Sequence, residues 1–402
     1  SRQEPPADSL QVKRAWGEAL TPFGMILAGR MGVHWGLGLV ANDGSCLDCE
    51  HGDTVDGIGL VLPLLGHALG VAYDIAASGP NLAAWGEGGQ PLDLDPADDV
   101  RSVSVALLRY NAPAVRRILL AGGRNVVDYG LVWSHRWQRL DFPGWTGAAA
   151  GGGSGGGEDG AAGLPAAGQA VPRAFSGDLL DGWLRWESPR QSLELELVLL
   201  VGRIGDASLV PGLHTVEVRA LQYGGVVRET VRPTGWLELS FELGLASGDA
   251  APGFGARPGR ERDRSRPGDL DGPQLQLPHD TRVDNLRFHP DYHVDLILWR
   301  ELVGTVTDAL YLRPRLQLGP WAGFTLEGVV VYSQALEAAS APGGKEPLGL
   351  ETDLALRYRS RDGFVAGLQY GLLVPLAGLD NVELGLEARV AQRLHGLVGF
   401  VF

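Results

Sequence analysis

The 402-residue chain has a formal net charge of −14, and 45% of its residues are hydrophobic. This negative charge argues against nucleic acid as a partner, and the ordinary hydrophobic content does not mark a helical membrane protein. The 59 glycines and 25 prolines favour turns and loops over long helices. Lys13 and Lys345 are the only lysines, so nearly all positive charge is arginine, whose planar fork suits ion pairs inside a polar interior.

Strand-like alternation of apolar and polar side chains begins near the start of the chain and recurs to its end. The first predicted strand runs from Leu10 to Leu20. The nearly apolar stretch from Gly57 to Tyr73 approaches the length of a membrane helix. Pro63 and the Gly66-His67 pair interrupt it, however, so we predict a hairpin of two strands.

Further strands are predicted from Val100, from Val126 and from Gly363. The alternation is clearest where charged residues recur on one face. Glu194 and Glu196 oppose a row of leucines, and the same holds for Arg313 with Arg315 and for Arg357 with Arg359. A soluble protein with so many such strands would need a second layer to cover their apolar faces, and no series of amphipathic helices supplies one.

The last predicted strand covers residues 381 to 402 and alternates almost to its end. Its apolar face carries Leu384, Leu386, Val390, Phe400 and Phe402, and its polar face carries Arg389 and Arg393. A membrane-spanning strand needs about 9–11 residues, apolar toward lipid and polar toward an enclosed interior. We therefore predict an all-β fold: a single antiparallel transmembrane β-barrel of about 16 strands, with long extracellular loops and one short helix. A last strand that ends on an aromatic residue also resembles the last strands of outer-membrane barrels.

The predicted connections alternate between short and long, as periplasmic turns and extracellular loops do. Residues 143–178 form a flexible glycine-rich loop in this interpretation, and residues 248–305 form a long loop. Counting back from a periplasmic C-terminus gives about 15 strands, whereas bacterial barrels have an even number. The count predicts at least one strand upstream of Ser1, and a merged or split strand is the competing explanation.

One segment of the long loop has helical spacing. Asp291 is placed as an N-cap and Gly304 follows the end, so a helix is predicted near residues 291–303. Two placements of this helix are considered equally: on the surface of the protein, or folded inward as a constriction. In the second case Asp295, Arg300 or Glu301 would approach Arg313 and Arg315.

Three stretches carry a resemblance to a known family: GRMGVHWGLGLVANDG from Gly29, GDTVDG from Gly52, and the run from Arg287 to Arg315. They resemble an uncharacterised family of predicted outer-membrane β-barrels from myxobacteria, porin-like in character. The resemblance spans most of the chain and implies an outer-membrane barrel without a settled substrate.

Sequence motifs of enzymes are not found, and we predict neither enzymatic activity nor a cofactor. Ser134 and His135 are neighbours on one strand, so their side chains face opposite ways and cannot act together. Asp43, Asp48, Asp53 and Asp56 are weak candidates for a Ca²⁺ site, although a solvated acidic loop is favoured. Cys46 and Cys49 are expected to be a local disulfide or two inert thiols.

The leading hypothesis is a porin-like outer-membrane channel for small hydrophilic or anionic solutes, saccharides included, with outer-membrane lipid as its surroundings. The alternative is a structural or adhesive outer-membrane barrel with a plugged interior and partner-binding extracellular loops. For the channel, the candidate pore-lining residues are Arg30, Glu194, Glu196, Asp295, Arg300, Glu301, Arg313, Arg315, Arg357, Arg359, Arg389 and Arg393.

Overall fold

A computed structural model describes residues 12–76, 99–141, 172–207, 216–254, 266–270, 272 and 280–401. Leu10, Phe402 and most of the predicted glycine-rich loop 143–178 lie outside these residues.

The described residues form one antiparallel sheet of 15 strands, in which each strand pairs with its neighbours in sequence. The predicted all-β antiparallel fold is confirmed, and the strand count matches the sequence count of about 15. Within the described residues the sheet is not closed by a β1–β15 pairing. The strands are β1 Ala15–Thr21, β2 Gly24–Gly32, β3 Thr54–Leu64, β4 His67–Ala76, β5 Val100–Arg109, β6 Val126–Gln138, β7 Phe175–Glu187, β8 Gln191–Ile204, β9 Val218–Thr234, β10 Leu237–Ala246, β11 Ala309–Trp321, β12 Phe324–Ala335, β13 Pro347–Arg359, β14 Phe364–Pro375 and β15 Ala391–Phe400.

The sheet curls so that elements far apart in the strand order meet inside it. The connection after β2 reaches β8, where the backbone N–H groups of Leu37 and Leu39 donate to the Glu196 carboxylate. The same connection reaches β15, because Leu47 lies in van der Waals range of the position that a side chain at Gly399 would occupy. A flat sheet could not bring β2, β8 and β15 together, so the sheet has the form of a barrel.

Connections at one end of the barrel, the short-turn end, are tight; those at the other, the long-loop end, are longer. The predicted hairpin is confirmed, since β3 and β4 are joined through Leu65 and Gly66, both at positive φ. Between β5 and β6 the short-turn end carries a helix that the sequence interpretation missed, α1, Pro113–Ala121, with proline at its first turn. Two shorter helical turns occur at Leu298–Val303 and Ala377–Leu379. Among the described residues, helices of the length and hydropathy that a membrane crossing needs are absent.

The outer face of the barrel is apolar. On β8 it shows Leu193, Leu197, Leu199 and Val201, all exposed, while Glu196 on the opposite face is fully buried. The apolar stretch from Leu193 to Val201 has the length of a membrane-spanning strand, about 9–11 residues.

Aromatic side chains line the short-turn end of this outer face. Phe324, Tyr358, Phe364 and Phe400 lie on four successive strands, and their ring centroids are separated by 4.8, 6.4 and 5.3 Å. Rings in this position are typical of the boundary between hydrocarbon and headgroups.

Both terminal strands are shorter than predicted. The first begins at Ala15 rather than Leu10, and the last begins at Ala391 rather than Asn381. Residues 381–386 instead form a tight turn, closed by two backbone hydrogen bonds between Asn381 and Leu386. Leu384, Leu386, Arg389 and Val390 therefore lie before the strand, so strand alternation does not apply to them. The three apolar side chains are exposed, and so is Arg389, which was predicted to face inward. Within β15 the prediction holds, because Phe400 is exposed on the outer face and Arg393 points inward.

Candidate channel constriction

A segment between β10 and β11 folds into the barrel and fills much of its long-loop half. We call residues 285–307 the inner segment. Its apolar side chains form a core with the barrel wall and include Phe288, Val294, Ile297, Leu298, Trp299 and Val303. The Trp299 indole N–H donates to Ser333 on β12 over 3.0 Å, which fixes the ring against the wall.

Only the last part of the predicted helix is helical. Leu298–Val303 forms one turn of π-helix, with hydrogen bonds from Leu302 N–H to Ile297 and from Gly304 N–H to Trp299. Gly304 ends this turn at φ 99°, as predicted. The predicted start was wrong because Asp291 does not cap the segment: its carboxylate accepts hydrogen bonds from the backbone of residues 50–52. Asp295 accepts from Trp299 and Arg300 instead.

Glu242 on β10 joins the inner segment to the wall. Its carboxylate accepts hydrogen bonds from Arg228 at 2.6 Å, from Tyr311 at 2.7 Å and from Tyr292 of the inner segment at 3.1 Å. Arg313 lies 3.6 Å from the same carboxylate and donates to the Val294 carbonyl at 2.7 Å. The buried charge is therefore paired and hydrogen-bonded on both oxygens, as a buried carboxylate must be.

The opposite side of the inner segment is held by charged side chains of β13 and β15. Glu351 on β13 accepts hydrogen bonds from the N–H groups of residues 296, 297 and 298 at 2.7–3.0 Å. Arg393 on β15 donates to the Leu296 carbonyl and forms an ion pair with Glu301. Burial, with the charges of Glu351 and Asp353 nearby, raises the pKa of Asp295 well above its ordinary value.

The connection between β2 and β3 lies against the inner segment at the long-loop end. Asp48 accepts a hydrogen bond from Arg300 at 3.0 Å and lies 3.6 Å from His293. Hydrogen bonding from His293, and then from Arg300, lowers the pKa of Asp48 well below its ordinary value. Cys46 and Cys49 flank this aspartate and are joined in a disulfide.

Three of the four aspartates considered for Ca²⁺ each pair with an arginine, and the fourth lies 3.4 Å from a histidine. Asp43 pairs with Arg14, Asp48 with Arg300 and Asp56 with Arg30, whereas Asp53 is the one near His289. The grouping that comes nearest to metal geometry in the described part of the chain is Cys46, Asp48 and His293. Cys46 is oxidised there and Arg300 already neutralises Asp48, so this grouping does not favour a cation.

The short-turn half of the interior is lined by charged side chains from β9 to β13, several of which are partly exposed. Arg315 pairs with Glu238 and, at 3.0 Å, with Glu327. Arg357 lies 3.2 Å from the same Glu327 and is 47% exposed. Arg232 and Arg359 extend this group, which contains four arginines and two glutamates.

The structure brings several predicted pore-lining residues to the interior, but not in the predicted pairs. Arg313 contacts the inner segment, whereas Arg315 pairs with Glu238 and Glu327 on the wall. Glu194 lies 3.7 Å from Arg228 on the interior wall.

Arg30 and Arg389 do not fit the prediction. Arg30 stands opposite Asp56, in line with the exposed Ile26–Leu60 pair, and so lies on the outer face with a 2.6 Å ion pair. Arg389 is exposed in the segment before β15.

The sequence interpretation did not select Arg228, Glu242, Tyr292 or Tyr311. Alternation placed Glu242 on a polar face, which was a usable signal. The role of Tyr292 depends on how a long loop folds, and local sequence gives no signal for that.

The fold and these contacts allow comparison with known proteins. Family models gave no match, and curated proteins gave none either. Among solved structures, the chain is similar to Pseudomonas aeruginosa OccK11 (OpdR), with 12% identity, a TM-score of 0.45, and coverage of 94% of this chain and 78% of the other. It is also similar to P. aeruginosa OccK5 (OpdH), with 10% identity, a TM-score of 0.45, and coverage of 95% and 80%. The chain is similar to P. aeruginosa OprD as well, with 11% identity, a TM-score of 0.41, and coverage of 93% of this chain and 75% of the other. Similarity at this level establishes neither a family nor a substrate.

Proposed function

We propose that the protein is a porin-like channel of the bacterial outer membrane for small hydrophilic solutes, with a preference for anions. The observation that carries the proposal is the opposition of the two barrel faces. The outer face is apolar over the length of a membrane-spanning strand, and the interior is lined by charged side chains around an inward-folded segment. Saccharides stay among the candidate solutes, and the myxobacterial resemblance stays a prediction.

The anion preference follows from the short-turn half of the interior. Four arginines and two glutamates face the same space there, and Arg357 keeps nearly half of its side chain exposed. Rings of arginine or lysine favour anions in pores because their fixed charge replaces part of the hydration energy of the ion.

The alternative, a structural or adhesive barrel with a plugged interior, is supported by a different observation. The inner segment packs as a continuous apolar core against the wall. A segment packed in this way would close the barrel unless a path remains beside it.

Recordings in planar lipid bilayers under a salt gradient distinguish the two. We expect discrete channels whose reversal potential indicates anion preference, and Arg357→Gln with Arg359→Gln should reduce that preference. Arg109→Gln with Arg124→Gln is the control. Arg109 is exposed on the outer face of β5 and Arg124 is exposed in the connection before β6, so the control removes the same two charges. Folded wild-type protein that conducts no current would overturn the channel and favour the plugged barrel.

A further inference from the structure

One row of outer-face residues crosses five strands near the long-loop end. Arg101 on β5 stands opposite Trp137, which stands opposite Ser176, and the register continues to Arg203 on β8 and Arg219 on β9. We call these five residues the rim row. Residues directly opposite each other in an antiparallel pair share a face, so the whole row lies on one side of the sheet.

The rim row borders the apolar outer face. Two residues nearer the middle of the barrel, β8 presents Val201 and β9 presents Leu221, which are paired with each other and exposed. The apolar surface continues from there along β8 to Leu193. The arginines therefore lie where a hydrocarbon layer would meet headgroups.

Two members of the row have like charges directly opposite each other. Arg203 and Arg219 are cross-strand partners, and such a pair is destabilising unless an anion lies between the guanidinium groups. Glu217 accepts a 2.8 Å hydrogen bond from Nε of Arg219, whose side chain is still 79% exposed. Among the described acidic residues we find none in an ion pair with Arg203. Within the described part of the chain, Glu217 is therefore the carboxylate that pairs with these two arginines, and it balances one of their two charges.

On the other side of the barrel the described outer-face residues near this end are paired or neutral, and Arg30 on β2 forms a 2.6 Å ion pair with Asp56. On β12, Tyr332 donates to Gln334 at 3.2 Å, and between β14 and β15 Tyr370 donates to Gln392 at 3.0 Å. These pairs are neutral, so they do not favour anionic headgroups over neutral ones. The row of several arginines therefore lies on the side formed by β5 to β9.

We propose that the rim row binds the phosphate-bearing headgroup of an anionic lipid in the outer leaflet. A phosphate between Arg203 and Arg219 would accept paired hydrogen bonds from both planar guanidinium groups and remove their repulsion. Trp137 would lie beside it at headgroup level, where its apolar ring can contact hydrocarbon and its N–H can donate to polar headgroup atoms. The proposal rests on the membrane placement proposed above, but not on conduction.

The test uses the purified full chain in neutral detergent, titrated with diphosphoryl lipid A or with phosphatidylcholine, and bound lipid is counted by native mass spectrometry. Wild-type protein should prefer lipid A. Since each arginine near an anionic surface contributes about fivefold, Arg203→Gln with Arg219→Gln should weaken lipid A binding about 30-fold. The matched control is Arg124→Gln with Arg361→Gln, two exposed arginines in connections at the short-turn end, and it should bind as wild type does.

Equal lipid A binding by the rim variant and the wild type would overturn the proposal. Displacement of lipid A by inorganic phosphate at the same concentration would overturn it too, because the site would then recognise free anions. Reconstitution into phosphatidylcholine vesicles distinguishes a failure of the membrane placement from a failure of the rim site. Protein that fails to insert there contradicts the membrane placement itself, whereas protein that inserts but shows no lipid A preference contradicts only the rim site.

Discussion

The long-loop half and the short-turn half of the barrel interior are built from the same alternating strands but are filled differently. In the long-loop half the inner segment buries apolar side chains and closes hydrogen bonds around Glu242 and Glu351. In the short-turn half charged side chains pair with one another along the wall, as Arg357 does with Glu327, and Arg357 stays 47% exposed. Strand alternation therefore determines which side chains face inward, and a loop determines whether they become a packed core or a polar lining.

The largest effect should come from removing the main apolar contact of the inner segment. Trp299→Ala deletes a ring that is 2% exposed and leaves Ser333 without its donor. We expect the free energy of unfolding, measured by urea titration in lipid vesicles, to fall by about 3–5 kcal/mol. Leu302→Ala, at an exposed position of the same π-turn, should cost about 1 kcal/mol or less. Similar losses for the two variants would show that the segment is not packed as a core.

A smaller but clear difference is expected between two glutamates on the same strand. Glu242→Gln leaves Arg228 and Arg313 without their shared buried counter-charge, which should destabilise the fold by about 3 kcal/mol. Glu238→Gln acts on a partly exposed side chain, and Arg315 keeps Glu327 as a partner, so about 1 kcal/mol is expected. The same urea titration measures both. An equal cost would contradict the contrast between the two halves.

The third prediction concerns how the stability of the fold depends on pH. Asp308 lies just before β11, and burial raises its pKa to about 7, against opposing hydrogen bonds from Ser340 and the backbone at Glu337. The folded state therefore holds a proton that the unfolded state releases near pH 4, and stability should fall as pH rises from about 4 to about 7. Asp308→Asn should remove a dependence of up to about 4 kcal/mol over that range, since one proton contributes about 1.4 kcal/mol per pH unit. A variant whose urea midpoints change with pH as those of the wild type do would exclude Asp308 as the cause.

Sequence alone was sufficient for the wall of the barrel, because side-chain alternation and tight turns are local properties. The hairpin through Leu65 and Gly66 and the inward facing of Arg393 followed directly from that pattern. The last strand was predicted too long because alternation continues through residues 382–390, although Asn381 and Leu386 close a turn there. Arg30 was misassigned because one stretch of sequence does not show which of its two faces points inward. The contacts of the inner segment, such as Tyr292 with Glu242, join residues 50 positions apart and have no local signature.

Thiol modification during single-channel recording tests most directly whether the short-turn half is the conduction path. Arg357→Cys places a thiol on the interior face, and Leu356→Cys places one on the outer face one residue away. Cys46 and Cys49 are paired with each other, so the introduced thiol is the reactive one. A charged, water-soluble thiol reagent should change the current of Arg357→Cys channels and leave that of Leu356→Cys channels unaltered. Unchanged current in modified Arg357→Cys channels, or equal changes in both variants, would contradict a channel through this half of the barrel.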